Sequence, residues 1–346
     1  MNQATHAWLA VEAYRKIAAE AKTPDGIGKK LDSLARLLGQ NLEDVVVAAW
    51  LPDSLIRDMS YGHVFKNSKY VGEQTERFKL SKEQLTKKLP SDARIPPVAF
   101  DLVPDAWWEK PYRVKDNGGH LPARVNALCQ TVRDMFRMGD ADVVQLTGVS
   151  SKGAEAISKD FLNSPRNIAM MLWMLSHYVA DAHMPFHSDN RALASTAQQK
   201  THSAIEKLWG EQVPEIFKAE TVLGIGRTKI LAAKLPGDSH FADLDFGTGI
   251  KPLKNGGSGD PWEEAVYICR ASFAVSFAWV PPSIASVDDK ATAVSLKDIL
   301  NEDFCGEERF WNISRALMTD AVNAIARFWQ DAWVDFTAKE SAGTSG

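Results

Sequence analysis

The chain is poor in three things, and each shortage narrows what it can be. It has 3 cysteines, Cys129, Cys269 and Cys305. They are too few and too scattered for a disulfide framework, and they lack the close pairing of a cysteine zinc site. The expectation is three small, buried, apolar side chains. Charge of one sign is also missing: 40 Lys and Arg stand against 44 Asp and Glu, a formal −4. Net charge therefore gives no general attraction to nucleic acid or acidic membranes, and such contacts need a local basic patch. No apolar run is long enough to span a bilayer. Met1-Asn-Gln-Ala-Thr-His leads directly into an amphipathic stretch, so no signal peptide is read in the chain as given. What remains, 45% hydrophobic and 24% charged residues in 346, is the composition of an ordinary soluble globular protein.

Apolar residues recur mostly at helical spacing. The pattern predicts a first helix with Thr5 near its start, then helices over Gly28–Leu38 and Asn41–Trp50, the latter ended by Pro52. Residues 60–119 read as a long irregular insertion with one short helix near Ser81–Lys88. Further helices are expected over Leu121–Met138 and Lys152–Leu162. Ser164 followed by Pro165 signals a capped start. The helix that follows runs through Asp181 towards Pro185 and is apolar nearly all round, as a central buried helix would be. Thr201–Lys218 is another helix, 220–260 a second loop-like insertion, and Trp262–Trp279 and Cys305–Phe336 close the chain. The fold class is all-α: a compact multi-helix single domain over 1–340, with a disordered tail at 341–346.

The chemistry lies in the string His177-x3-Asp181-x5-His187-x14-His202-x3-Glu206. An imidazole one helical turn from a carboxylate puts two metal ligands on one face of a rigid frame, and the string does so twice. One such pair is expected by chance in a chain with 8 histidines, which is the risk of short motifs. Three imidazoles and two carboxylates within thirty residues are harder to dismiss, because such a cluster, once buried, is costly without metal.

This string resembles the zinc-dependent phospholipase C family and its relatives, the single-strand-specific nucleases. Upstream, Thr5-His6-Ala7-Trp8-Leu9 is similar to the first-helix histidine segment of the bacterial phospholipases. Ala48-Ala-Trp-Leu-Pro-Asp53 resembles the segment bearing a ligand aspartate, and Gly62-His63-Val64-Phe65 the next histidine ligand. The matching pieces span residues 1–206; beyond them only helical character is shared. The resemblance implies three zinc ions. Asp53, His63, His177 and Asp181 would hold the first, and His187, His202 and Glu206 the second. His6, a bridging Asp181 and the amine and carbonyl of Met1 would hold the third. The spacing of Met1 from His6 is that of the nucleases, and the amine must bind deprotonated.

The implied activity is phosphodiester hydrolysis by a bridging hydroxide attacking phosphorus in line, with Asp53 orienting or deprotonating the water. Three zinc ions bring about +6, and three carboxylates with a hydroxide return about −4, leaving roughly +2 for a phosphodiester. Glu206 leans towards the phospholipases, since the nucleases carry aspartate there. Ser54 departs from the tyrosine of the choline-selective enzymes, so a phosphatidylcholine headgroup pocket does not follow. Single-strand nuclease or nucleotidase activity is the alternative on the same fold. A metal-stabilised binding protein without turnover is the alternative from another class. The partner expected is a phospholipid headgroup or other phosphodiester, with nucleic acid possible as substrate and no protein partner. Ile95–Phe100 and Ala106-Trp107-Trp108 are candidates for an aromatic membrane loop. Family resemblance implies a secreted or periplasmic location.

The remaining features take ordinary roles. His183 falls at a variable position of the motif and reads as second-layer or solvent-facing; His120 and His240 read as turn and loop residues. The eleven tryptophans fall mostly on helices and read as core. Segment 66–94 carries 8 Lys and Arg against 4 Asp and Glu, more often a solvated face than a nucleic-acid patch.

Overall fold

Two helices that bury themselves nearly all round form the centre. In the computed structural model α1 spans Gln3–Glu20. The Asn2 side chain caps it, Oδ1 accepting from the Thr5 amide at 3.0 Å and the Thr5 hydroxyl at 2.9 Å. This satisfies donors that the first turn leaves unpaired. From Ala7 to Val11 no side chain of α1 reaches solvent appreciably, so the helix has no polar face and packs on several sides. The structure describes residues 1–24, 26–57, 62–65, 120–140, 164–189, 196–218, 225–247, 249–251, 259–280 and 294–343.

The other elements follow in order: α2 Gly26–Gln40, α3 Val45–Ala48, α4 Leu121–Asp140, α5 Pro165–Ala182, α6 Pro185–Ser188, α7 Thr196–Glu211, α8 Arg227–Ala232, α9 Pro261–Trp279, α10 Leu296–Ile299 and α11 Glu307–Gly343. Among the described residues there is no β-strand, and no helix is long and apolar enough to cross a membrane. α5 is the second central helix. Ser164 Oγ accepts from the Asn167 amide at 3.1 Å and Pro165 fills the first turn. Every residue from Leu172 to Ala182 is buried. α4, α11 and α1 pack against α5, while α9 closes over α6 and α4.

α11, 37 residues long and about 55 Å at 1.5 Å per residue, runs along α1, α4 and α5. Tryptophans fasten it. Trp329 Nε1 donates to the Leu172 carbonyl at 2.8 Å, Trp333 Nε1 to Lys30 at 3.0 Å, and Trp209 Nε1 to Ser314 Oγ at 3.0 Å. Each indole thus buries its apolar body and still satisfies its one donor. Seven of the described tryptophans are buried, and Trp262 is exposed.

The structure moves several expected boundaries. Asn41–Trp50 is not one helix: a 3₁₀ turn, Leu42–Asp44, leads into the four-residue α3. Pro52 does not stop the chain; it begins a π turn, Pro52–Ile56, because proline needs no amide partner in a first turn. Arg57 closes that turn, its amide donating to the Pro52 carbonyl at 2.8 Å with φ 54° and ψ 38°. α7 ends at Glu211, and Pro214 separates it from a 3₁₀ turn at Glu215–Phe217. The 220–260 stretch contains α8. α11 extends to Gly343, into the stretch read as tail. Most of the 60–119 insertion, including Ser81–Lys88 and the tryptophans at 107 and 108, lies outside the described residues, as do Lys152–Leu162 and 344–346.

Cys129, Cys269 and Cys305 are free and buried, as composition led us to expect. Burial pushes all three thiols up to about 12. A folded-state value above the unfolded one makes stability fully present below about pH 9 and progressively lost as pH climbs towards 12. Each thiol contributes a slope of about 1.4 kcal/mol per pH unit in that window. The Met1 amine, raised against burial from 8.0 to about 11 by Asp181 and Glu206, adds to this loss, and Lys16 opposes it with one proton, because burial lowers its ammonium to about 8. Denaturant midpoints under reducing conditions should therefore fall from pH 9 to 10.5. Cys129→Ala combined with Cys269→Ala should flatten most of that fall, and an unchanged slope would contradict it.

Candidate metal centre

Six segments bring their polar groups to one buried place. α5 supplies His177 and Asp181, one turn apart. The N-terminal segment supplies Met1, just ahead of α1, and His6 within it, the π turn after α3 supplies Asp53, residues 62–65 supply His63, α6 supplies His187, and α7 supplies His202 and Glu206. Backbone contacts seat the shorter pieces. The Phe65 amide donates to the His187 carbonyl at 3.1 Å and the Leu121 amide to the Val64 carbonyl at 3.3 Å. His63 is thereby tied to both α6 and α4.

Asp181, 1% exposed, lies at the middle. Its Oδ1 is 2.9 Å from the Met1 amine, 3.4 Å from His6 Nε2 and 3.4 Å from His187 Nδ1. Its Oδ2 is 2.8 Å from His63 Nδ1 and 3.2 Å from His177 Nε2. Asp53 Oδ1 faces His63 Nε2 at 3.4 Å and His177 Nε2 at 3.8 Å. On the other side Glu206 Oε1 is 2.8 Å from the Met1 amine, 2.7 Å from His202 Nε2 and 3.5 Å from His187 Nε2. All nine residues singled out in the sequence meet.

Three sets have donor atoms close enough to share an ion: His63 with His177 and Asp181; His187 with His202 and Glu206; and His6 with Asp53 and His177. The first two correspond to expected sites. The third differs in that His6, expected beside Met1 and Asp181, also faces Asp53 and His177. His6 and His177 stack, their ring centroids 3.8 Å apart.

Two observations test whether these residues suit a metal. Both ring nitrogens of His6 and Nδ1 of His187 are buried without a hydrogen-bond partner, a costly state for groups with an available lone pair. Their separations from Asp181 Oδ1, 3.4 Å in each case, are long for hydrogen bonds. They match the edge of a tetrahedron whose ligands sit at about 2.0–2.1 Å from zinc, roughly 3.3–3.4 Å. The donor set of imidazoles and carboxylates suits a divalent transition-metal ion, zinc included, and the residues fit such an ion.

The electrostatics favour ligand-ready forms at His6, His187, Asp181 and Glu206, and the protonated form at the Met1 amine. Burial, aided by His177 and the Met1 amine, holds His6 well below its usual value. Burial pushes His187 down to about 4. Both imidazoles are therefore neutral, as metal ligation requires. Burial acts to raise Asp181, but the Met1 amine and the His187, His177 and His6 rings outweigh it and hold the carboxyl well below the carboxylate range. Glu206 is lowered in the same way, by the amine and His202 against burial. Burial would lower the Met1 amine; Asp181 and Glu206 overcome that and raise it to about 11. Asp53 is raised, chiefly by burial.

Some contributors carry no sequence signal. His177 Nδ1 donates to the Ala49 carbonyl at 2.7 Å, which leaves the Nε2 lone pair facing the cluster. Trp50, half-buried, has its ring 6.0 Å from those of both His6 and His177. Asp189, buried, accepts from Ser276 Oγ at 2.7 Å. His183 is fully buried, not solvent-facing, and its Nδ1 donates to the Val179 carbonyl at 2.7 Å. His240 is exposed and stacks on Trp311 with centroids 3.9 Å apart. His120 is exposed immediately before α4.

One signal was legible and not read. Gly210 lies inside α7, where glycine is costly. A Cβ there would meet the Asn2 amide nitrogen at 1.7 Å, so the glycine admits the residue that seats Met1. Gly210→Ala should push Asn2 away and withdraw the amine from Asp181 and Glu206. The expected result is fewer bound metal ions per chain at little cost in helicity. Unchanged stoichiometry by plasma emission spectrometry would show that the amine is not a ligand. Comparison of the chain with family models, curated proteins and solved structures finds no match, so this centre is interpreted on its own geometry.

Proposed function

We propose that the protein is a zinc-dependent phosphodiester hydrolase of phospholipase C type, with a cluster of three zinc ions held by these nine residues. The observation that carries the reading is the set of unpartnered imidazole nitrogens on His6 and His187, both 3.4 Å from one buried carboxylate oxygen. An apo-stable core has no use for that arrangement, whereas shared cations need it. Glu206, rather than aspartate, favours the phospholipase branch over the nucleases.

When bound, zinc supplies positive charge for the phosphate and lowers the pKa of water. The chain's own residues do the rest. Asp181 keeps its charge and offers one oxygen to each side of the cluster. His177, fixed by Ala49, keeps its tautomer. Asp53, raised by burial and less enclosed than Asp181, is placed to orient the attacking water and accept its proton. Trp50 and Tyr178 wall the imidazoles and limit water on that side.

The test is hydrolysis of a chromogenic phosphodiester, of phosphatidylcholine and phosphatidylethanolamine, and of single-stranded DNA, each with and without chelator. Activity on a diester that chelation removes and zinc restores is expected. Asp53→Asn should reduce kcat by about a hundred- to ten-thousandfold. His187→Ala should lower zinc content as well as rate. Full zinc occupancy with no hydrolysis of any diester would make the centre structural. A protein that takes up no zinc would remove the reading entirely.

A further inference from the structure

Among the described residues four large apolar side chains are exposed, and two of them, Leu55 at 75% and Ile56 at 43%, stand two and three positions after Asp53. They belong to the π turn that delivers the Asp53 carboxylate to His63 and His177. The same turn ends at Arg57, which is exposed and held at φ 54°, a backbone region that favours glycine. Among the described residues no carboxylate pairs with its guanidinium, whose Nε donates to the Ser54 carbonyl at 3.2 Å. Trp50, whose carbonyl accepts from the Ser54 amide at 3.0 Å, sets its ring 6.0 Å from those of His6 and His177.

We propose that Leu55, Ile56 and Arg57 form a lip on which the protein meets a phospholipid bilayer, so that lipid phosphodiesters reach the metal centre from a membrane surface. The proposal rests on the phosphodiesterase reading for its purpose, but the surface itself can be tested separately. Exposed leucine and isoleucine stabilise contact with the acyl region by burying apolar area. An adjacent arginine is drawn to lipid phosphates, an attraction of the order of fivefold in affinity per cation near an anionic surface. A single-stranded nucleic acid would instead call for aromatic faces on which bases stack, and the tip of this turn has none. The placement also has a geometric consequence: an occupant of the lip lies beside Asp53, the aspartate of the cluster that is not sealed in the core.

The experiment uses the full zinc-loaded chain with vesicles of mixed phosphatidylcholine and phosphatidylglycerol, scored by co-sedimentation. Leu55→Gln with Ile56→Gln should weaken vesicle binding at least about tenfold, with zinc content and hydrolysis of a soluble chromogenic diester unchanged. Arg57→Gln should cost about fivefold at low salt and little at high salt, while Arg57→Lys retains binding. Either single glutamine substitution, each expected to weaken binding several-fold, serves if the double variant fails to fold. The proposal is overturned if the wild-type chain ignores vesicles or if the double variant binds them equally. It is also overturned if that variant loses soluble-diester and vesicle activity alike, or loses cleavage of single-stranded DNA instead. Vesicle binding that depends on the lip in a protein without diesterase activity would leave the surface standing and remove only the catalytic reading.

Discussion

The structure is organised around one buried carboxylate. Asp181 lies in the stretch of α5 where every residue from Leu172 to Ala182 is buried, and an isolated charge there would be prohibitively expensive. It is tolerated because five nitrogens from three other segments and its own helix converge on its two oxygens: those of the Met1 amine, His6, His63, His177 and His187. A charge compensated this way is weak evidence for stability in itself, since hydrophobic replacements often do as well. It is stronger evidence for a site, because stability alone does not call for so many donors around one acid.

That constraint explains features of the fold that otherwise look unrelated. α1 must present its N-terminal turn, not its middle, to α5. The Asn2 cap and the gap left by Gly210 set that end in place. α5 must be followed at once by a turn and a second short helix, so that His187 returns towards Asp181; Pro185 opens that helix. α3 ends early and gives way to a π turn, a helix irregularity common at functional sites, which turns Asp53 inward while Ser54, Leu55 and Ile56 face out. Cation binding to such an assembly is coupled to folding, because the ligands come from segments far apart in the chain.

How far the sequence revealed this depends on the kind of information each element carries. The capped start at Ser164 and Pro165 and the apolar run behind it are local signals, and α5 could be read from them. Likewise the His-x3-Asp and His-x3-Glu spacings needed only helical periodicity. The π turn at Pro52–Ile56 could not be read, because proline's missing amide is compatible with either ending one helix or starting another turn, and packing chose the latter. Ala49 acts through its carbonyl and Asp189 through its burial, neither of which leaves a mark on residue type. Gly210 did leave one, a glycine at a helical position, but its meaning required knowing that Asn2 sits against it.

The cluster is not equally enclosed on all sides. The side chain of Asp181 is 1% exposed, Asp53 12%, Glu206 18% and His202 25%, so accessibility grows outward along two edges. On the proposed reading, the carboxylates closest to solvent are shared with the reacting group, while the sealed one sets charge and geometry. His202 and Glu206 approach to 2.7 Å, a hydrogen bond, whereas the groups around Asp181 Oδ1 on the imidazole side stay at 3.4 Å. The sealed interior holds both kinds of contact: Asp181 lies 2.9 Å from the Met1 amine and 2.8 Å from His63 Nδ1, while His6 Nε2 and His187 Nδ1 stand 3.4 Å from its Oδ1, at a spacing a cation would fill.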